Sequence, residues 1–238
     1  MEPYQFRTDA GLPITSTAAT ERVTAFLRLI YGWMAAGLAI TALVAFFVVS
    51  SPAILQVVLG NRIVFFGLII AELGLVFFLS GRAQSLAPST AALLFVAFSA
   101  LNGATLSVVL LAYTGVSVAT TFVVTTGMFA ALAAFGTMTT RSLAGVGQFF
   151  FMGLIGFILA SVVGMFWHND ALQFLISVVG VLVFTGLTAY DAQRLKQMAL
   201  AIPEGQIGSM AVVGALSLYL NFVNLFLFLL RLTVSRRD

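Results

Sequence analysis

The 238 residues contain no cysteine and one histidine, and only 8 % of them are charged. Without cysteine there are no disulfides or thiolate-held metals, and with His168 alone a histidine-based metal cluster is excluded. A basic patch interleaved with aromatics is also missing. The net charge of +3 and the pI near 9.7 come from few residues spread over short loops, so they bear on membrane orientation and point away from nucleic acid as a partner. No serine elbow or metalloprotease motif occurs, and His168 is predicted at the opposite end of its helix from Asp191. No enzymatic activity and no resident cofactor are expected.

Apolar residues are abundant. They make up 61 % of the chain, with a mean hydropathy of +1.11, which describes a polytopic membrane protein surrounded by lipid. Residues 1–24 are polar, hold Pro3, Gly11 and Pro13, and read as a mostly unstructured cytoplasmic leader. The run that follows is too long, and too poor in small residues at a cleavage position, to be a secretory signal. Seven apolar segments then predict seven membrane helices over 25–234: Ala25–Val49, Ile63–Leu79, Thr90–Ala112, Ser117–Gly136, Gln148–Trp167, Ala171–Tyr190 and Ser209–Val234. Ala53–Leu59 is long enough only for a short interfacial helix, and 235–238 form a short basic tail. In the fifth segment Gly156, Ala160 and Gly164 recur every four residues, a pattern expected to let a neighbouring helix approach closely.

With the N-terminus inside, seven bases fall on the cytoplasmic side (Arg7, Arg22, Arg28, Arg82, Arg141, Arg194, Lys196) and four outside (Arg62, Arg231, Arg236, Arg237). The interior loops agree with this orientation. Three of the four outside bases lie near the C-terminus and do not.

Two acids lie within apolar segments, where an ionisable group marks a functional site by default. From Leu172 to Tyr190 no residue is charged, so Asp191 ends nineteen apolar positions and sits at or just inside one membrane face. Its alternative is a solvated helix-end acid neutralised by Arg194 or Lys196. Glu72 lies mid-span. Arg82 is ten positions on, about 15 Å along the same helix, so any partner for Glu72 comes from another helix. Asp191 stands about ten residues before the turn at Pro203–Gly208, and Asn221 about a dozen after it. Antiparallel neighbours would place the two at nearly one depth, with the amide donating to the carboxylate.

The stretches FLRLIYGWMAAGLAITALVA (Phe26–Ala45), TAYDAQRLK (Thr188–Lys196) and ALSLYLNFVNLFLFLLR (Ala215–Arg231) resemble the signature segments of the Bax inhibitor family, and the short loops resemble its bacterial members. The resemblance covers nearly the whole chain. It implies an all-α fold of six helices in two layers around a central C-terminal seventh, in a bacterial inner membrane. It also implies passive calcium leak sensitive to pH, and in eukaryotic relatives suppression of cell death. By the same resemblance Asp191 is half of a two-aspartate pH sensor, and Asn221, in YLNF, stands where many bacterial relatives have aspartate. Glu72 and Arg82 match an acid near the ion path and a base near the gate. An Asp–Asn pair has one titrating proton and no like-charge repulsion, so a weak pH response is expected here.

The expected function is therefore a cation leak through the bundle, with Glu72 and Asp191 as oxygen ligands or attractors for calcium and water and carbonyls supplying the remaining oxygens. Besides lipid and a cation, the alternative partner is another membrane protein, such as a protease or stress factor. In that case the chain is a non-conducting regulator and the acids are structural pairs.

Overall fold

The computed structural model describes residues 16–166 and 170–233. His168 and Trp167, the leader up to Thr15 and the basic tail lie outside the described residues. Among those described, all regular structure is helical: α1 (Ser16–Ser50), α2 (Pro52–Leu59), α3 (Arg62–Gly81), α4 (Pro88–Ala112), α5 (Gly115–Met138), α6 (Ala144–Phe166), α7 (Asp170–Ala201), a 3-10 turn at Glu204–Gln206, and α8 (Ile207–Thr233). Six of these, α1, α3, α4, α5, α7 and α8, are long and apolar enough to cross a membrane. The expected fifth span is α6, whose fully described apolar part, Ala144–Ala160, falls short of that length.

Local chemistry sets the boundaries. Pro52 and Pro88 open α2 and α4, where a missing N–H costs nothing. Asn61 caps α3, its side-chain oxygen accepting from the amides of Ile63 and Val64, and Thr114 caps α5 through the amide of Ser117. Pro203 stops α7 two residues past its end. One boundary differs from the hydropathy reading: α1 begins at Ser16, inside the stretch expected to be unstructured. A polar extension stays helical because it docks. Arg22 donates to the carbonyls of Ala199 (3.0 Å) and Ile202, supplying two acceptors at the C-terminal end of α7 with a cation.

α8 is the axis of the bundle. In its most apolar window 61 % of residues are buried, against 6 % for α3. On one side α1 packs on α4 and α4 on α3; on the other α5 and α6 pack on α7; and α1, α4, α5 and α7 all contact α8. Tyr219, Leu216, Leu218 and Leu225 of α8 are fully buried. The outward faces of α3 and α6, with Ile63, Phe66, Phe77, Phe149 and Met152, are apolar and exposed, as a lipid-facing surface must be.

Lipid tails are as apolar as leucine, so helix association depends on close packing and interhelical hydrogen bonds. The closest approaches are at glycine, although not on the expected ladder. A Cβ on Gly156 would meet nothing within 4 Å, and Gly156 and Ala160 are exposed, so that ladder faces outward; the surroundings of Gly164 lie outside the described residues. The tight crossings lie elsewhere. A Cβ on Gly136 of α5 would stand 2.1 Å from the carbonyl oxygen of Ala189 on α7, and one on Gly103 of α4 2.6 Å from that of Thr41 on α1. α6 meets α7 through Gly147 against Tyr190 and through Gly186 against Phe150.

Candidate functional site

The segment Ser217–Asn221 of α8 places polar groups on two opposite faces of the central helix. Ser217 and Asn221 are one turn apart and share the face toward α7. Tyr219, about 200° from Ser217 at 100° per residue, points the other way, toward α1 and α4. Two polar networks therefore flank the same turn of helix.

On the α7 side, Asn221 Nδ2 and Ser217 Oγ each donate to Asp191 Oδ2 at 2.8 Å. The structure thus brings together the two residues matched by depth, Asp191 and Asn221, and adds Ser217. Asp191 is 9 % exposed, which removes the reading of a solvated helix-end acid. Lys196 Nζ donates to the carbonyl of Thr137 (2.7 Å), whereas the exposed Arg194 acts on Asp191 through its charge without forming a salt bridge. Both donors converge on Oδ2. Among the described residues Oδ1 accepts no hydrogen bond, and Asp191 lines a polar cavity of about 590 Å³. Arg82, from the end of α3, lines that cavity too, as do Gln84 and Arg194. Two expected residues, Asp191 and Arg82, so face one space. Asn224, by contrast, donates to Leu220 of its own helix.

Glu72 is not part of this cavity. Its partners come from α4: Asn102 Nδ2 donates to Oε2 (2.9 Å) and Thr105 Oγ1 to Oε1 (2.8 Å). Asn102 in turn accepts from the hydroxyl of Tyr219 (2.9 Å), which lies 2.6 Å from Thr41 Oγ1, and Thr41 donates to the carbonyl of Ser99 (2.9 Å). A chain of polar groups thus runs from α3 through α4 and α8 to α1. Both Glu72 oxygens face hydrogen-bonding side chains, whereas both bonds to Asp191 fall on Oδ2.

Gln193 closes the end of the bundle at the α5–α6 loop. Its Oε1 accepts from the amide of Leu143 and its Nε2 donates to the carbonyl of Arg141, both at 2.8 Å, clamping the α5–α6 loop to α7. Ser217, Thr105, Tyr219 and Gln193 were not singled out in the sequence. Only Ser217 carries a local sign, its i, i+4 spacing to Asn221. Among the described residues no group of three or more His, Cys, Asp or Glu side chains is placed to hold a metal.

Comparison with known proteins agrees with these segments. The family described as "Inhibitor of apoptosis-promoting Bax1" matches residues 23–238. Among similar proteins, the inner membrane protein YbhL of Escherichia coli K12 is 45 % identical over 215 residues, covering 89 % of this chain and 92 % of the relative. A Borreliella burgdorferi protein is 40 % identical over 215 residues (90 % and 93 % covered), and a membrane protein of Streptococcus pyogenes 36 % over 210 (87 % and 91 %). A match from the first apolar helix through the last, with helices that pack around the segment bearing Asn221, leads to one assignment: the chain is a multi-pass membrane protein belonging to the Bax inhibitor family.

Proposed function

We propose that the protein is a passive cation leak pathway in a bacterial inner membrane, with calcium as its cargo, and that it conducts without catalysing a reaction. The observation that carries this reading is the polar cavity inside an otherwise apolar bundle, with the buried carboxylate of Asp191 turning an unbonded oxygen into it. A hydrated cation is attracted there, and water completes its shell. Glu72, held by Asn102 and Thr105, adds a negative potential deeper in the bundle. Seven crossings with the N-terminal end in the cytoplasm complete the picture. The 23 residues of α6 extend about 34 Å at 1.5 Å per residue, enough for a crossing. The printed name of the Escherichia coli relative supports the inner membrane.

Calcium flux into liposomes containing the native protein, Asp191→Asn and Glu72→Gln tests the reading. Native flux should exceed that of empty liposomes, and both variants should lower it while remaining folded. No cation movement at any pH by correctly inserted protein would remove the leak and leave the non-conducting regulator. Unchanged flux in a folded Glu72→Gln protein would take Glu72 out of the path. An accessibility tag on the C-terminus should be reached from outside intact cells; protection in the cytoplasm would overturn the seven crossings.

A further inference from the structure

The cavity beside Asp191 is lined by charges of both signs. The acid is buried, one of its oxygens is unbonded, and it lies among the inner lining residues with Ser217. Two guanidinium groups line the same space from different helices, Arg82 at the end of α3 and Arg194 on α7, and both residues are exposed. Neither makes a salt bridge among the described residues. Arg82 leans instead on the ring of Phe78, 5.4 Å from its centroid. The carboxylate attracts a cation, but a cation alone leaves the two guanidinium groups without a partner, and an anion alone leaves the carboxylate without one. A ligand that satisfies all three carries both charges.

Position narrows the class further. The cavity lies where apolar helices end: Arg82 caps the last turn of α3, and Arg194 is three positions beyond Asp191, about 4.5 Å outward along α7. α3 packs chiefly on α4 and touches α8 only lightly, so the exposed Arg82 and Gln84 at its C-terminal end stand open to the space beside α7 and α8. That is the depth at which phospholipid headgroups lie. At roughly 30 Å³ per water, the 590 Å³ has room for about twenty water-sized groups, ample for a phosphate, a two-carbon bridge and an amine.

We propose that this cavity is a binding site for the headgroup of a zwitterionic, amine-bearing phospholipid, phosphatidylethanolamine in kind. Its phosphate is held by Arg82 and Arg194, and its ammonium donates to Asp191 Oδ1. Guanidinium groups match phosphate oxygens in geometry and charge. The carboxylate needs an N–H donor, which an ethanolamine ammonium has and a quaternary choline lacks. Binding of such a headgroup requires no ion conduction, so it stands whether or not the protein leaks cations.

Native mass spectrometry of the detergent-solubilised full chain, titrated with dioleoyl phosphatidylethanolamine, phosphatidylcholine or phosphatidylglycerol, tests the assignment without measuring flux. The native protein should retain phosphatidylethanolamine at least about tenfold better than either other lipid, the difference made by about 1.4 kcal/mol. Arg82→Gln together with Arg194→Gln, both exposed and therefore tolerated by the fold, should reduce retention of phosphatidylethanolamine severalfold. Asp191→Asn, shown by melting to be folded, should abolish the preference for ethanolamine over glycerol while phosphate binding persists. Equal retention of the three lipids by the native protein would overturn the proposal, as would phosphatidylethanolamine retention untouched by the double arginine variant.

Discussion

Removing one hydroxyl group measures what the polar chain through the bundle contributes. Tyr219 is fully buried, its ring edge-on to Phe95 (5.9 Å between centroids) and Phe98 (5.5 Å), and its hydroxyl joins Asn102 on α4 to Thr41 on α1. Tyr219→Phe keeps the ring and deletes both polar contacts. Thr41 still has the carbonyl of Ser99, but Asn102 Oδ1 loses its donor. Because Thr41 gives its one proton to Ser99, the interhelical bond lost is the one to Asn102, at about 0.6 kcal/mol, and with about 1 kcal/mol for the stranded acceptor the loss is roughly 1.5 kcal/mol. At about 2–4 °C per kcal/mol for a chain of this size, the melting temperature should fall by about 3–6 °C. Tyr219→Ala also deletes the ring contacts and should cost about 3–5 kcal/mol. Melting of the purified proteins in one detergent, followed by tryptophan fluorescence, gives all three numbers. A Phe variant melting within about a degree of native, or one as damaged as the Ala variant, would refute the reasoning; the first makes the hydroxyl worthless, the second makes the ring so.

Gly136→Ala should destabilise by about 1–3 kcal/mol, because its Cβ would enter the carbonyl of Ala189, whereas Gly156→Ala should stay within about 0.5 kcal/mol; equal melting of the two would show that the α5–α7 contact yields freely. Asn221→Asp puts a second carboxylate where an amide nitrogen now stands 2.8 Å from Asp191, and two ionised groups that close repel by about 6 kcal/mol at an effective dielectric constant near 20. That pair must hold a proton, so liposome flux should gain a step between about pH 5 and 8 that the native protein lacks and that Asp191→Asn in the mutant background removes. A native protein already strongly stepped, and unaltered by Asn221→Asp, would show that these positions are not the sensor. Gln193→Leu removes both clamps on the α5–α6 loop, so hydrogen exchange at the Leu143 amide should quicken severalfold; unchanged exchange would mean that the loop is held by other contacts.

Features of the molecule that depend on chain proximity were readable in advance. Uninterrupted apolar runs mark helices whatever packs against them, and a tight turn between α7 and α8 fixes the depth of Asn221 against Asp191. Partners of Glu72 are not readable, because Asn102 and Thr105 come from another helix, 30 and 33 positions away, and no local period links them to it. Glycine placement failed for a related reason. A helix apolar on all sides does not reveal which stripe faces protein and which faces lipid, so the outward Gly156 and the inward Gly136 look alike in the sequence. The docked start of α1 was missed because Arg22 finds its acceptors at the far end of the chain, on Ala199 and Ile202.

Because the central helix follows α1 to α7 in the chain, the order of synthesis matters. While α1 to α7 are already in the bilayer and α8 is still in the ribosome or translocon, Asp191 lacks both of its side-chain donors and Asn102 lacks the Tyr219 hydroxyl. The helices α1–α4 and α5–α7 then have chiefly the direct contact between α1 and α7 in place of a shared axis. A nascent chain stalled at this point holds a carboxylate and an amide oxygen without their donors inside the bundle, the kind of lesion that membrane quality control recognises. Arrival of α8 repairs both at once, since Ser217, Tyr219 and Asn221 lie within a little over one turn. Truncation before this turn should therefore direct the chain to degradation, which pulse-chase of the truncated and full-length proteins would show.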